Sequence, residues 1–212
     1  MNDITGHPAA DAIKMGVSER LFDGYSTGAF KPDALLTRME LAKYLVMGAE
    51  IRQSLPVTKS FSDVVSSDLA FVEAAAATGA ALRDQQQIQK GVILPKADGK
   101  FAPKDGVTRV ELAYSLVQAL GLQKEAETFN GQLTVQYNDE RIAIEDAAEI
   151  PAHLKGYVQL ALDLNILNAK FAVTQGPYDL KPMVNATFSP LVKNTRGDFS
   201  VAMSRYYNAF LK

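Results

Sequence analysis

A single pattern, Phe-x-Pro followed by four residues and then Thr-Arg-x-acid, occurs three times in this 212-residue chain. The copies occupy residues 30–40, 101–111 and 188–198, so they begin 71 and 87 residues apart. A unit of this size cannot bury its apolar residues alone, so three units must pack on one another around a shared core. Any binding feature of one unit then recurs at related positions, which suits a polymer better than a small substrate.

Each Thr-x-x-acid tetrad has the sequence of a helix capping box. The threonine side chain accepts from the backbone three residues later, and the acid reaches back to the threonine amide. The predicted capping pairs are Thr37 with Glu40, Thr108 with Glu111, and Thr195 with Asp198. Apolar residues follow four and eight positions after each threonine, which predicts an amphipathic helix after every cap.

A second helix is predicted before each motif. We expect these helices to stop at Gly16, Gly79 and Asn165, because glycine and asparagine tolerate the left-handed conformation that ends a helix. Each unit is therefore predicted to be helix, loop, helix. An acidic lead-in occurs at Asp63 and Asp146 and is missing, by sequence, from the first unit.

The units differ in their insertions. Segments 82–96 and 168–186 lengthen the loops of the second and third units, and 123–144 separates those units. Within the last of these, 133–137 alternates weakly and is interpreted as a short strand.

Composition excludes several classes of function. A formal net charge of -2 without a basic run argues against nucleic-acid binding, and zero cysteines exclude thiol catalysis and cysteine-bound zinc. His7 and His153 have no partner at metal-ligand spacing. No nucleophile elbow, phosphate loop or paired-carboxylate setting is present, so we predict no enzyme activity, metal or cofactor.

The amino terminus and the apolar segments indicate where in or outside the cell the protein is located. No stretch approaches the roughly 18 apolar residues that span a bilayer. The first residues have neither the basic nor the apolar region of a secretion signal. We expect that the chain starts inside a larger exported protein, whose remainder lies on the amino-terminal side.

The repeated motifs resemble the S-layer homology domain, in which three tandem repeats carry a Thr-Arg-Ala-Glu-like motif preceded by Gly-x-Phe-x-Pro. The resemblance implies an all-α fold of three helix-loop-helix repeats in a pseudo-threefold bundle, here with long loop insertions. It places the repeats at approximately 5–55, 58–122 and 142–212 in a single domain, with 123–141 as an inter-repeat insertion. It also implies an extracellular module that anchors proteins to the cell wall or cell surface.

The family resemblance further implies a ligand. It is a secondary cell-wall polysaccharide, often bearing pyruvate ketals, held in grooves between repeats with the motif arginine among its contacts. The predicted ligand-binding residues are Arg38, Arg109, Arg196, Tyr25 and Asp63.

The residues themselves give the arginines two possible roles. A cation in the first helical turn interacts unfavourably with the helix dipole, at a cost of about 0.3–1 kcal/mol in free energy. We therefore expect each arginine to have a negatively charged partner. That partner is either an anionic ligand at the helix amino terminus or a carboxylate of the neighbouring unit, such as Asp63 or Asp146.

Two functions follow from the sequence. The first is non-catalytic anchoring through an anionic, possibly pyruvylated, wall polysaccharide. The alternative is that degenerate repeats serve as a structural or protein-interaction domain of a larger exported protein.

Overall fold

The computed structural model describes residues 1–53, 59–177, 180 and 182–212. Its α-helices are α1 (Ala10–Ser18), α2 (Arg38–Gly48), α3 (Leu69–Ala76), α4 (Arg109–Ala119), α5 (Gln123–Glu127), α6 (Lys155–Asp163) and α7 (Arg196–Phe210). Its strands are β1 (Thr134–Tyr137), β2 (Glu140–Ala143), β3 (Lys170–Thr174) and β4 (Met183–Thr187). Short 3-10 helices cover Ala147–Glu149 and Ala152–Leu154.

The predicted all-α fold class is wrong, because the insertions contain β-structure. Strand β1 pairs antiparallel with β2, and β3 pairs antiparallel with β4, giving two separate hairpin sheets. The interpretation of 133–137 as a strand is confirmed by β1. The prediction rested on the repeated helical motifs, and the hairpins lie in the segments between them.

All three predicted capping boxes are present. In the first, Glu40 N donates to Thr37 Oγ1 over 3.2 Å and Thr37 N donates to Glu40 Oε2 over 2.9 Å. The same reciprocal pair starts α4 and α7. The three motif helices α2, α4 and α7 therefore begin with one local geometry, and Asp198 caps as well as the glutamates do.

The residues just before the caps join the three units in a closed ring. Leu36 N donates to Asn194 O over 3.0 Å, Asn194 N to Val107 O over 2.8 Å, and Val107 N to Leu36 O over 2.9 Å. Each backbone group is thus satisfied by the neighbouring unit, as buried amides require. The motif repetition in the sequence becomes a cyclic arrangement in space.

Helices α1, α3 and α6 pack against the three motif helices in the same cyclic order. Helix α3 packs on α2 and α6 packs on α4, so each pairs with the motif helix of the preceding unit. Helix α1 of the first unit packs on α7 of the third. The packing pairs are therefore offset by one helix from the repeats seen in the sequence.

The Phe-x-Pro loops share an unusual backbone conformation. The middle residues Lys31, Ala102 and Ser189 have φ of 56°, 56° and 57°. This left-handed conformation is disfavoured for residues with a side chain. It turns the phenylalanine inward, and Phe30, Phe101 and Phe188 are at most 1% exposed.

An aspartate holds each of these loops, including the first. Asp63 accepts from Phe101 N and Ala102 N over 3.2 and 2.7 Å, and Asp146 makes the equivalent bonds in the third unit. Asp3 accepts from Phe30 N and Lys31 N in the first unit. The prediction that the first unit lacks this acid is wrong, because Asp3 supplies the same carboxylate outside the sequence pattern of the other two.

The predicted helix stops are confirmed in two units. Gly79 and Asn165 follow α3 and α6 with φ of 75° and 54°. In the first unit the prediction is wrong, since Gly16 lies inside α1 and Arg20 takes the left-handed conformation with φ of 59°. A Cβ on Gly16 would lie 2.1 Å from the Phe22 ring, so close packing explains this glycine.

We expect stability to fall at acid pH through the loop aspartates. Partial burial acts to raise the pKa of Asp63, but the amides of Ala102 and Phe101 outweigh it and hold the pKa below its ordinary value. Its contribution is therefore complete above the unfolded pKa of about 4 and is lost as pH falls through the lower folded value. Melting temperatures measured from about pH 5 to about pH 2.5 should fall less steeply in Asp63→Asn than in the parent protein.

The matched control is Asp11→Asn, because Asp11 is exposed and lies 3.7 Å from the exposed Lys14 ammonium. Its melting temperatures should follow the steeper slope of the parent. Identical slopes for Asp63→Asn and Asp11→Asn would contradict the assignment.

Candidate functional site

Each motif arginine is the first residue of its helix and reaches the phenylalanine of the next unit. The Nε atoms of Arg38, Arg109 and Arg196 donate to the carbonyls of Phe101, Phe188 and Phe30 over 2.7, 2.7 and 2.8 Å. Each guanidinium carbon also lies over the same phenylalanine ring, 5.1, 4.9 and 4.5 Å from its centroid. The arginine and the phenylalanine of the pattern are therefore contact partners, taken from different units.

The helix amino termini do not present free amides. Arg38 N and Met39 N donate to Asp105 O and Pro103 O over 2.9 and 3.0 Å. The other two motif helices bond the carbonyls of their neighbouring loops in the same way. The expectation of an anion held by free first-turn amides is therefore wrong.

Arg196 is surrounded by partners. Its Nη1 donates to Glu40 Oε1 and, over 2.7 Å, to Tyr44 Oη, while Nη2 donates to Asp23 O over 2.9 Å. The side chain is 1% exposed, and Tyr25 covers it with its ring centroid 4.6 Å from the guanidinium carbon. Burial lowers the pKa of Arg196, but Tyr44 and Glu40 outweigh burial and raise it.

Arg38 is paired in a similar way. Its Nη1 donates to Glu111 Oε1 over 3.0 Å and Nη2 donates to Leu94 O over 2.7 Å, and the side chain is 2% exposed. Burial acts to raise the pKa of Glu111, but bonds from Lys96 and Thr108 bring it below its ordinary value. The cavity beside this cluster, about 170 Å³, is lined by Arg38, Lys96 and Glu111, and both cations form ion pairs with that glutamate.

Arg109 differs from the other two. Nη2 donates to Asn168 O over 2.6 Å, yet in the described part of the chain no carboxylate lies within ion-pair distance of it. The acid in the position of Glu111 and Glu40 is Asp198, one methylene shorter. Burial lowers the pKa of Arg109, and Asp198 and Asp146 offset this only in part. Arg109 is also less buried than the other two motif arginines.

A cavity of about 150 Å³ lies beside this guanidinium. We call it the Arg109 groove, and its principal lining residues are Arg109, Leu167, Asn168, Asn194, Asp198 and Arg205. Arg205 Nη1 donates to Asn168 Oδ1 over 2.8 Å and, over the ranges described, forms no ion pair. The groove therefore brings together two guanidinium groups and one carboxylate.

Asn194 adds an unusual polar atom to the groove. The residue is 1% exposed and its Nδ2 donates to Val107 O over 3.1 Å. Its Oδ1 is a buried acceptor without a hydrogen-bond partner among the residues that the structure describes. Such atoms are rare in folded proteins.

The five predicted ligand-binding residues do not form one site. Tyr25 lies against Arg196, where its hydroxyl donates to Glu40 Oε1 over 3.1 Å, and Asp63 holds the loop beside Arg38. The bridges to Arg38 and Arg196 come from the capping acids Glu111 and Glu40, rather than from Asp63 or Asp146.

Sequence reasoning missed Asn168, Asn194 and Arg205. These residues lie outside the repeated pattern, and no spacing signal joins them to Arg109. His7 lies before α1, where its Nδ1 accepts from Ala9 N over 3.0 Å.

Neither a metal-binding cluster nor a membrane-spanning helix occurs among the described residues. No group of three or more His, Cys, Asp or Glu there is arranged to hold a metal ion. Likewise, none of the helices in that part of the chain has both the length and the apolar character needed to cross a membrane.

The comparisons with known proteins support the family resemblance. The family model of the S-layer homology domain matches residues 1–42, which contain the whole first motif. The prediction that this chain carries an S-layer homology domain is thereby confirmed. That the chain holds three tandem repeats of the domain stays a prediction, as do the repeat boundaries.

A relative matches over most of the chain. The Surface-layer 125 kDa protein of Lysinibacillus sphaericus is 26% identical over 204 residues, which is 96% of this chain and 14% of that protein. The chain thus spans about one seventh of the relative's length.

The different environments of the motif arginines predict different losses of stability. Arg196→Gln leaves Glu40 and Tyr44 without their cation and should lower the free energy of unfolding by about 3 kcal/mol or more. Arg109→Gln removes bonds to two carbonyls and no ion pair, so it should lower that free energy by about 1 kcal/mol. Urea unfolding followed by circular dichroism measures both.

Lys14→Gln, an exchange on the exposed face of α1, is the control and should change the free energy by less than about 0.5 kcal/mol. Equal losses of unfolding free energy in the two arginine variants would show that Arg109 contributes as much to stability as Arg196 does.

Proposed function

We propose that this chain is a non-catalytic cell-surface anchoring module that binds an anionic cell-wall polysaccharide in the Arg109 groove. The family match and the surface-layer relative support the anchoring role. The relative's greater length is consistent with a larger parent protein on an extracellular surface. The observation that carries the ligand proposal is the pairing of Arg38 and Arg196 with glutamates, while Arg109 has none in the described chain.

Charge favours an anion in this groove. Arg109 and Arg205 contribute two positive charges, and Asp198 contributes one negative charge. Arginine keeps its charge at any physiological pH and presents a planar fork that fits a carboxylate. The carboxylate of a sugar ketal therefore supplies the partner that a glutamate supplies to Arg38.

Hydrogen bonding favours a sugar as the carrier of that anion. Asn194 Oδ1 is a buried acceptor, and Asn168, which accepts from Arg205 through Oδ1, makes no hydrogen bond through Nδ2 to the residues that the structure describes. A sugar hydroxyl donates and accepts, so it can satisfy both amide groups. The combination selects a polar, hydroxylated anion rather than a simple carboxylic acid.

Loss of the Arg109 charge should weaken attachment. Binding of Arg109→Gln to cell-wall sacculi of the producing organism should fall by at least about tenfold, because a charged hydrogen-bonded pair contributes about 1.5–3 kcal/mol. Sacculi with and without extraction of the secondary polymer identify the ligand. Equal retention of the parent protein on both preparations would refute the polysaccharide.

A one-methylene exchange gives the sharper experiment. Asp198→Glu places at Arg109 the acid that pairs Arg38 and Arg196, so it should raise stability and weaken binding together. The expected changes are about 1 kcal/mol and about fivefold. Urea unfolding and isothermal titration with a pyruvate-ketal monosaccharide measure them.

The control is Glu125→Asp on the distant helix α5, where neither quantity should move. Unchanged affinity in a folded Asp198→Glu protein would show that Arg109 does not meet the anion.

A structural role is the second candidate, and the Arg38 and Arg196 clusters favour it. Both guanidinium groups are buried and bonded between units. Under this alternative Arg109→Gln would lower stability, and the parent protein would bind neither sacculi nor the ketal probe.

A further inference from the structure

We infer that the two inserted hairpins form a second carbohydrate subsite, which takes a neutral sugar unit of the same polysaccharide. The inference rests on the proposed function, because the cavity concerned adjoins the Arg109 groove. We call it the hairpin cavity. Its principal lining residues are Gln136, Arg141, Asp163, Asn165, Asn168 and Phe171.

The hairpin cavity has the size of a small-molecule site. Its volume is about 480 Å³, within the range of about 300–1,000 Å³ typical of such sites. It lies between β1, the end of α6 and β3. Ile144 forms a bridge with Ala186, which fixes one hairpin against the other. The walls of the cavity are therefore held by pairing between the two insertions.

One wall is an aromatic surface. Phe171 on β3 lies against Tyr137 on β1, with ring centroids 4.9 Å apart. Phe171 remains 40% exposed although it lines the cavity. An exposed ring beside polar groups suits the carbon–hydrogen face of a pyranose, which is apolar while its edge is hydroxylated.

The remaining walls offer uncharged hydrogen-bonding groups. Gln136 Nε2 donates to Asn138 O, so its Oε1 is left to accept. Neither the side chain of Asn165 nor Asn168 Nδ2 forms a hydrogen bond with another described residue. Each amide supplies a donor or an acceptor to a hydroxyl.

The charges of the cavity cancel. Arg141 Nη2 donates to Asp163 Oδ1 over 2.8 Å, and Arg141 Nε donates to Thr134 Oγ1 over 2.7 Å. The pair leaves no uncompensated charge, in contrast to the Arg109 groove. A neutral sugar is therefore favoured here and an anionic one there.

The two cavities share lining residues. Leu167 and Asn168 line both, and Asn168 also bonds Arg109 through its carbonyl and Arg205 through Oδ1. A polymer whose charged unit reaches Arg109 thus places an adjoining unit against Phe171. The geometry assigns two consecutive sugars to two neighbouring subsites.

A neutral probe tests the hairpin cavity without the anionic site. The ¹⁵N-labelled full chain is titrated with a panel of neutral hexoses and N-acetylhexosamines. Saturable amide shifts are expected around Asn165, Asn168 and Phe171, and they should disappear in Phe171→Ala. The control Val173→Ala changes an exposed apolar residue on the same strand outside the cavity lining, and it should keep them. No saturable shift with any sugar of the panel overturns the inference.

A second measurement links the two subsites. The parent protein should bind a pyruvate-ketal disaccharide about tenfold more tightly than the corresponding monosaccharide. In Phe171→Ala and Asn165→Gly, which keeps the left-handed backbone of residue 165, that advantage should fall to about twofold or less, while the monosaccharide Kd stays the same.

The outcomes separate the two proposals. If both variants still bind the disaccharide about tenfold more tightly than the monosaccharide, the hairpin subsite is overturned and the anchoring proposal remains intact. Failure of the monosaccharide to bind the parent protein refutes the Arg109 groove, while the neutral panel still decides the hairpin cavity.

Discussion

The fold depends on one contact repeated around a ring, in which an arginine at the start of a helix bonds the phenylalanine carbonyl of the next unit. The carbonyl belongs to a loop in a left-handed conformation, and an aspartate holds that loop from the other side. Each motif therefore needs its neighbour to satisfy its own polar groups. This explains why Phe, Pro and Arg recur together, since each completes a contact across a unit boundary. Thr and the acid form the cap within each unit, and in two units the acid also bonds the arginine of a neighbour.

The same contact allows one unit to diverge without loss of the ring. The Nε bond and the ring contact persist at Arg109, while the outer face of its guanidinium is not paired with a capping acid. Shortening that acid by one methylene keeps the capping box, because Asp198 still accepts from Thr195 N over 2.9 Å. The same side chain that forms an inter-unit ion pair in two positions is the one that we propose binds a ligand in the third.

Sequence reasoning predicted the local features best where short-range chemistry determines them. The capping boxes, the motif helices, the stops at Gly79 and Asn165 and the strand in 133–137 all depend on neighbouring residues. The offset packing of helices and the role of Asp3 depend on long-range contacts, which no spacing reveals. The all-α prediction is wrong because the hairpins lie in segments with weak alternation.

The site was predicted only in part for the same reason. The arginines were found because they repeat, and the need for a negative partner followed from the helix dipole. The identity of the partners did not follow, since Glu40 and Glu111 were assigned to capping alone. Arg205 and Asn194 enter the site through folding of distant segments, so the sequence held no signal for them.

Closure of the ring also determines the order in which the parts of the chain can fold. The bond from Arg196 to Phe30 joins residues 166 positions apart, and α1 packs on α7. Contacts of such long range form slowly, because the chain loses much of its freedom before they form. A chain emerging from its amino terminus therefore holds α1 without its packing partner until the last helix has appeared, and folding is completed by the final unit.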